Sequence, residues 1–257
     1  MSTPMFEATT RDGVLRLRRP GTRWLSTGWD GGFADADAAY NVTVPDGWHR
    51  DDLAAYVDER LAAAGFDAAP ASGPVLLTGV DQRHARGARC GPVEAVVTAG
   101  VSNPAALPMT PAGGDLPADP AADADADADD VDADSDADAD AGTVNVVVGT
   151  TRALGDAALA NLVAVAAEAK TATLLHETGF PGTTTDAVVA ATDPDGEPSR
   201  YSGSATRVGA AARACVRDAL QATLDSRYRD AEPPRSVEDA EYGVETAVRS
   251  DVFVPGE

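Results

Sequence analysis

The chain has 257 residues and a formal net charge of -22, because 42 acidic residues outnumber 20 lysine and arginine residues. A field of this sign repels nucleic acid and anionic membranes, so we expect neither as a partner. The N-terminus has no apolar segment of the secretory kind and no run approaches 18 apolar residues, so we expect a cytoplasmic protein.

Hydrophobic patterning predicts six strands and three helices. The strands are expected over residues 14–18, 41–44, 75–80, 93–101, 143–148 and 186–192. The helices are expected over residues 50–64, 156–177 and 204–228. Strands that come first, followed by long helices, predict an α+β fold in which a single domain has a mixed β-sheet covered by helices.

Two acidic segments stand apart from this pattern. Asp and Ala almost alternate between residues 115 and 140, and such a segment cannot bury enough apolar surface to fold. We therefore predict a long disordered acidic insertion over residues 110–141, inside a domain of residues 1–230. Its Asp-x-Asp spacing lacks the Gly and Glu of an EF-hand calcium loop. Residues 231–257 are predicted to be a loosely attached acidic tail.

The predicted helix over residues 156–177 contains Lys170, which is the only lysine of the chain. All the other residues in the lysine and arginine total are arginine. Loss of lysine together with abundant Asp and Ala predicts a halophilic cytosol. At about 1 M salt the Debye length falls to about 3 Å, so repulsion among the carboxylates is largely screened. This composition explains the net charge without any cationic partner.

Apolar residues occupy both sides of this helix, so it is predicted to be buried on both faces. Lys170 lies on the stripe that contains Leu159 and Leu174, and its ammonium there needs a partner or a shifted pKa. The alternative is a side chain that reaches the helix end. Glu168 lies roughly 200° around the helix from Lys170, and its alternative role is that of a partner for a buried arginine.

Four polar turns are candidates for chemistry, at residues 98–103, 142–145, 182–186 and 201–204. Asn145 lies within an apolar strand, where its amide costs free energy unless it finds hydrogen-bond partners. The last turn opens a helix whose free N–H groups can hold a carbonyl oxygen or an oxyanion. Each turn alone is also explained as an ordinary turn or helix cap. Together they predict polar loops gathered at one edge of a sheet.

Familiar nucleophiles and metal ligands are poorly supported. Cys90 and Cys215 are far apart and form no CxxC pair, which argues against a disulfide framework and a zinc site. The three histidines are isolated, and the chain has no Walker loop, no G-x-S-x-G and no G-x-G-x-x-G after a strand. We therefore expect neither a metal nor a bound cofactor.

The same turns resemble the adenosylcobinamide amidohydrolase family (CbiZ) over roughly residues 20–228. The matching stretches, in chain order, are residues 98–103, 142–145, 167–171, 182–186 and 201–204. The chain departs from the family pattern at Asp30, where the family has Asn before two glycines, and at Ala167, where it has Thr. The resemblance implies hydrolysis of the amide that joins the corrin ring to aminopropanol, with the corrinoid as substrate rather than cofactor.

Amide hydrolysis needs a base or nucleophile, donors for the developing oxyanion and an acid for the leaving amine. On this basis, Glu168 or Asp186 is expected to act as the base for a water, and Lys170 as electrostatic stabiliser or proton source. Thr185 as a direct nucleophile is the competing hypothesis. Backbone N–H groups of Gly203 and Ser204, or Asn103, are the candidate oxyanion donors.

A corrinoid carries many amides, so its cleft should be lined by Asn, Thr and Ser, with Trp24 or Trp29 as an apolar wall. The candidate substrate-binding residues are Gly31, Gly32, Asn41, Ser102, Asn103, Asn145, Asn161, Thr171, Thr183, Gly203 and Ser204. Two rival functions stay open. One is a corrinoid-binding protein without catalysis, and the other is an amidase for a smaller amide. The sequence does not indicate an oligomeric state.

Overall fold

The computed structural model describes residues 4–45, 50, 52–66, 73–117, 143–240 and 242–256. Within these residues the helices are α1 (Leu53–Ala63), α2 (Asp156–Thr178) and α3 (Arg207–Arg227), with one 3-10 turn at Gln82–His84. The strands are β1 (Glu7–Arg11), β2 (Val14–Ser26), β3 (Gly32–Thr43), β4 (Val75–Thr78), β5 (Arg86–Cys90), β6 (Val93–Ala99), β7 (Pro104–Ala106), β8 (Val144–Ala153), β9 (Gly182–Thr183), β10 (Ala187–Pro198) and β11 (Val244–Glu245).

The large sheet is mixed, with strand order β4-β3-β2-β10-β8-β6-β5 and with β1 added to β2. β8 and β10 are parallel, as are β3 and β4, whereas the other neighbouring pairs of this sheet are antiparallel. A second sheet of three short strands has the order β11-β7-β9. The predicted α+β fold with a mixed sheet covered by helices is confirmed.

Three apolar cores define the layers of the protein. The largest core packs α2 and α3 against one face of β6, β8 and β10. The second core joins the opposite face of β8 and β10 to β2, β3 and β4, and it contains Trp24, Leu76, Val147 and Val189. The third core places α1 on the outer side of β2, β3 and β4. The long β2–β3 hairpin, which has a register shift between Arg18 and Thr22, therefore covers the central strands.

The sequence pattern located all six predicted strands but not their full lengths. β2 and β3 extend well beyond residues 14–18 and 41–44, because they form one long hairpin whose polar positions face solvent. Five short or polar strands were not expected: β1, β5, β7, β9 and β11. They contain few buried apolar residues, so tertiary pairing rather than their own pattern makes them extended.

The prediction that α2 is buried on both faces is wrong. Leu159, Ala166 and Leu174 are buried against the sheet, whereas Ala164, Ala172 and Leu175 on the other side are exposed. Alanine favours a helix without needing burial, so apolar composition overstated the buried surface. α2 is the one described helix that is long and apolar enough to span a membrane, yet half of that window is buried inside the protein. It is a core helix.

The two acidic segments differ in how much of them is described. Most of the predicted acidic insertion, from residue 118 onward, lies outside the described residues. The tail, by contrast, is held by specific contacts, because β11 pairs in parallel with β7. The amide of Gly113 also donates to the carbonyl of Ala247 at 3.1 Å, and the Arg249 guanidinium donates to the carbonyl of Pro111. The tail thus lies along the segment that follows β7.

Trp24 is the aromatic centre of the second core, so we expect its removal to lower the free energy of unfolding strongly. Its ring stacks on Phe6 at a centroid distance of 5.7 Å, and its indole N–H donates to the carbonyl of Ala36 at 2.9 Å. We expect Trp24→Ala to lower the free energy of unfolding by about 3–5 kcal/mol. Trp29→Ala, at a partly exposed position, should cost below about 1 kcal/mol. Urea unfolding in molar KCl measures both, and equal losses would contradict this packing.

Candidate active site

A buried ion pair between Lys170 and Asp186 lies at the centre of the candidate site. Their side chains are only 10 % and 11 % exposed. The Asp186 carboxylate also accepts hydrogen bonds from the Val144 amide at 3.0 Å, from the Thr183 amide at 3.1 Å and from the Thr183 hydroxyl. Burying two charges is favourable only when such additional bonds satisfy them. The alternative in which Lys170 reaches to the helix end is therefore wrong.

The chain topology explains why these two residues meet. β8 and β10 are parallel neighbours joined by α2, so α2 must run back along the sheet. Its second half therefore approaches the first residues of both strands, where Val144 and Asp186 lie. In the register of these strands Ala187 is opposite Asn145. Lys170 consequently lies beside the edge at which β8 and β10 begin.

Three of the four predicted polar turns converge at this edge. β6 is antiparallel to β8, with Thr98 opposite Asn145, so the turn at residues 98–103 follows the end of β6 here. The Asn103 side chain donates to the Thr184 hydroxyl, and the Thr184 amide donates to the Asn103 carbonyl at 3.2 Å. The Thr143 and Thr185 hydroxyls are 2.8 Å apart. Residues 98–103, 143–145 and 182–186 thus form one polar cluster.

A second polar network next to this cluster joins β3 and β4 to β6 and β8. The Asn145 amide group donates to the Asn41 side-chain oxygen at 3.0 Å and to the Leu77 carbonyl at 2.9 Å. The Asn41 amide group donates in turn to the Thr98 hydroxyl at 2.9 Å. The side-chain oxygens of Asn103 and Asn145 are buried and accept no hydrogen bond from the described residues. An unpaired buried acceptor costs about 1–3 kcal/mol, and both atoms are therefore ready to bind a donor.

A cavity of about 420 Å³ lies beside the turn that joins β2 to β3. Trp29, Gly31 and Gly32 line it, together with α1 and the residues that precede β4. The glycines are required here, since a Cβ on Gly31 would lie 2.6 Å from the Ser26 carbonyl oxygen, and Gly32 has a φ of +113°. Trp24 is fully buried in the second core. Of the two tryptophans predicted as an apolar wall, only Trp29 lies at the cavity.

The fourth polar turn is not brought to this edge. Ser202, at the far end of β10, accepts from Asn161 at 2.9 Å and donates to the Ala158 carbonyl at 2.6 Å. Asn161 precedes Lys170 by nine residues, which is about 14 Å along a helix. Gly203 and Ser204 follow Ser202 directly, so they and Asn161 lie too far from Lys170 to share its site. The expectation that all four turns meet is wrong for this one.

The other candidate residues have separate surroundings. Glu168 is on the exposed face of α2, where it pairs with Arg213, so the alternative of an arginine partner applies, although this arginine is partly exposed. Thr171 is half-buried on α2 and no described contact links it to the cluster. Ser102 lines a shallow cavity of about 470 Å³ together with tail residues between Glu232 and Ala240.

Sequence reasoning included Thr98 and Thr143 in two of the candidate turns but gave neither residue a role of its own. Both are buried hydroxyl residues within or beside apolar strands, and the same pattern had singled out Asn145. It also missed Tyr228, whose hydroxyl accepts from the Val101 amide at 2.9 Å and so fixes the turn at residues 98–103. Burial raises the pKa of this tyrosine, which keeps it neutral. Within the described residues there is no group of three or more His, Cys, Asp or Glu that could hold a metal ion.

Gly182 tests the tight packing of the ion pair. A Cβ at this position would lie 2.7 Å from an Asp186 oxygen and 3.3 Å from the Lys170 nitrogen. We expect Gly182→Ala to destabilise the protein by about 1–3 kcal/mol, because the carboxylate is held by several bonds and cannot move freely. Gly203→Ala is the control, since its Cβ would meet only an ordinary contact at 3.9 Å. Thermal unfolding compares the two, and similar losses would argue against the crowded pair.

Comparisons with known proteins identify the family of this chain. A family model described as adenosylcobinamide amidohydrolase (CbiZ) matches residues 2–232. The chain is also similar to the adenosylcobinamide amidohydrolase of Halobacterium salinarum, with 61% identity over 251 residues, which cover 98% of this chain and 100% of that relative. The match includes the cluster around Lys170 and Asp186 as well as the cavity beside Trp29. The chain belongs to the adenosylcobinamide amidohydrolase family.

Proposed function

We propose that this chain hydrolyses adenosylcobinamide at the amide between the corrin ring and aminopropanol, giving adenosylcobyric acid and aminopropanol. This reaction serves cobinamide salvage in cobalamin biosynthesis. Family membership and the 61% identical relative name the substrate. The observation that carries the chemistry is the buried Lys170–Asp186 pair at the edge where three polar turns meet. We also propose the cytoplasm as its location.

Lys170 is suited to stabilise the oxyanion that forms on the amide carbonyl. An ammonium has three N–H donors, and Asp186 accepts from Lys170. In the described part of the chain no other side chain accepts from it, which leaves donors for a substrate oxygen. Because the site is largely buried, the positive charge is screened less there than in water. Lys170 therefore replaces Gly203 and Ser204 as the proposed source of oxyanion stabilisation.

Asp186 is the proposed base for the attacking water. The Thr183 hydroxyl donates a hydrogen bond to this carboxylate, so one acceptor position on Asp186 is occupied by a group that can rotate away without any backbone change. A water in that place would lose its proton to Asp186 as its oxygen attacks the carbonyl carbon. The same proton then passes to the leaving amine as the C–N bond breaks. Glu168 has no such position, because it pairs with Arg213 on the outer face of α2.

The roles of the three charged residues on α2 and beside it predict different kinetic losses. Lys170→Ala should reduce kcat by about 10²–10³-fold, the usual effect of removing one oxyanion donor. Asp186→Asn should lose at least as much, whereas Glu168→Gln should stay within about threefold. The assay follows conversion of adenosylcobinamide in molar KCl by mass analysis of the corrinoid, with circular dichroism as the check on folding. A Glu168→Gln loss equal to that of Asp186→Asn would contradict these assignments.

Substitutions in the threonine turn, residues 183–185, distinguish attack by water from attack by a threonine hydroxyl group. Among the residues that the structure describes, Thr185 bonds to the Thr143 hydroxyl and to no carboxylate, so none of them is placed as a base to remove its proton. We expect Thr185→Ala to keep turnover within about fivefold of the parent, and Thr183→Ala to lose more because Thr183 orients Asp186. Thr183→Ser retains the hydroxyl and should recover most of that loss. A Thr185→Ala protein that binds substrate but does not turn it over would support Thr185 as the nucleophile instead.

The same assay decides between hydrolysis and the two rival functions. A corrinoid-binding protein would bind adenosylcobinamide and leave its amide intact over hours. An amidase for a smaller amide would leave the corrinoid intact but would cleave members of a panel of short amides. The presence of a paired ammonium and carboxylate at the site favours hydrolysis over binding alone.

A further inference from the structure

The cavity beside the β2–β3 turn has a distinct chemical character. Its walls include Trp29, Phe33, Asp30 and Asp58, and none of the wall residues that the structure describes is an arginine or a lysine. Trp29 is 37% exposed, so its ring offers free surface. The Phe33 ring is covered on one face by Arg23, whose guanidinium carbon lies 5.0 Å from the ring centroid. Such a cavity suits a flat ligand whose polar groups are hydrogen-bond donors. It does not suit a phosphate, which the carboxylates would repel.

The backbone holds the aromatic and acidic groups together. Asp30 has a φ of +47°, which only a few residues other than glycine adopt, so the turn is constrained at this position. Gly28 is equally restricted, because a Cβ there would lie 2.6 Å from the Leu76 side chain. The turn therefore packs onto β4 and presents Trp29 and Asp30 from a fixed backbone. A pre-organised wall of this kind is typical of a ligand site.

The turn that lines the cavity is also bonded to the strand that follows Asp186. The Thr27 amide donates to the Val188 carbonyl at 3.0 Å, and the Val188 amide donates to the Thr27 hydroxyl at 2.9 Å. Val188 is two residues after Asp186, so the turn that forms the cavity is bonded to the beginning of β10. A volume of about 420 Å³ is at the small end of the range for ligand pockets. It accommodates one substituent of a corrinoid rather than the whole macrocycle.

We propose that this cavity binds the adenosyl group of the substrate, with the adenine stacked on Trp29 and the ribose hydroxyls donating to Asp30. Adenosine is planar at one end, carries two vicinal hydroxyl donors and has no phosphate, which matches the aromatic and acidic walls. The inference rests on the proposed function, because that function supplies a substrate with an adenosyl group. It assigns to this turn the selection of the adenosylated form, while hydrolysis takes place beside Asp186.

The test compares adenosylcobinamide with cyanocobinamide, which lacks the nucleoside. We expect the parent protein to prefer the adenosylated form. Trp29→Ala should lower kcat/KM for adenosylcobinamide about 10–100-fold, the range typical of one base–aromatic stack, with a much smaller loss for cyanocobinamide. Trp29→Phe keeps a stacking ring and should recover most of the loss. Phe253→Ala removes an exposed aromatic side chain of the tail and is the control. It should leave kcat/KM unchanged for both corrinoids.

Two outcomes would overturn the proposal: equal losses on both corrinoids in Trp29→Ala, or no loss on either of them. Isothermal titration with adenosine as the probe tests the cavity independently of catalysis. The parent protein should bind adenosine, and Trp29→Ala should bind it at least tenfold more weakly. If the parent hydrolyses neither corrinoid yet binds adenosine through Trp29, the proposed function fails while the nucleoside site stands. If it hydrolyses both equally and binds no adenosine, the nucleoside site fails alone.

Discussion

The buried pair of Lys170 and Asp186 is the constraint on which the rest of the site depends. Taking an ammonium and a carboxylate out of water costs several kcal/mol per ion, and their attraction offsets this only with good geometry and additional bonds. The additional bonds come from backbone N–H groups of β8 and of the turn before β10, together with the Thr183 hydroxyl. The charges therefore tie α2, β8 and the threonine turn into one unit, and any shift of one element is transmitted to the others.

The second constraint is the polar network that joins β3 and β4 to β6 and β8. Asn145 and Asn41 belong to strands that are not neighbours in the sheet, and they meet only because the β2–β3 hairpin covers the face of β8. An amide in such a place loses its hydration, so its bonds to Asn41 and to the Leu77 carbonyl offset a cost that would otherwise destabilise the core. The network thus fixes how the hairpin lies over the central strands.

Much of this arrangement follows from local pattern, and the part that does not has a physical cause. The period of the apolar residues located the three helices and the six strand cores, and a lone lysine or asparagine in an apolar stretch correctly marked buried polar contacts. Pattern carries no information about which end of a strand a turn joins, however. Ser202 lies at the far end of β10 because that strand continues to Pro198, well beyond its apolar portion. The burial of α2 was overestimated for a related reason, since alanine occurs in helices at both buried and exposed positions and so does not indicate which face is buried.

The survival of one lysine in an arginine-based chain has an explanation in the same geometry. A surface ammonium and a surface guanidinium are both hydrated and exchange at little cost, so composition can drift toward arginine there. Inside the site the two differ, because a guanidinium is a wide planar fork and an ammonium is a compact point charge. Gly182 leaves room beside the Lys170 nitrogen for no more than a small group, as the 3.3 Å approach of a Cβ shows. The compact ammonium of Lys170 therefore fits beside Gly182 by its packing as well as by its charge.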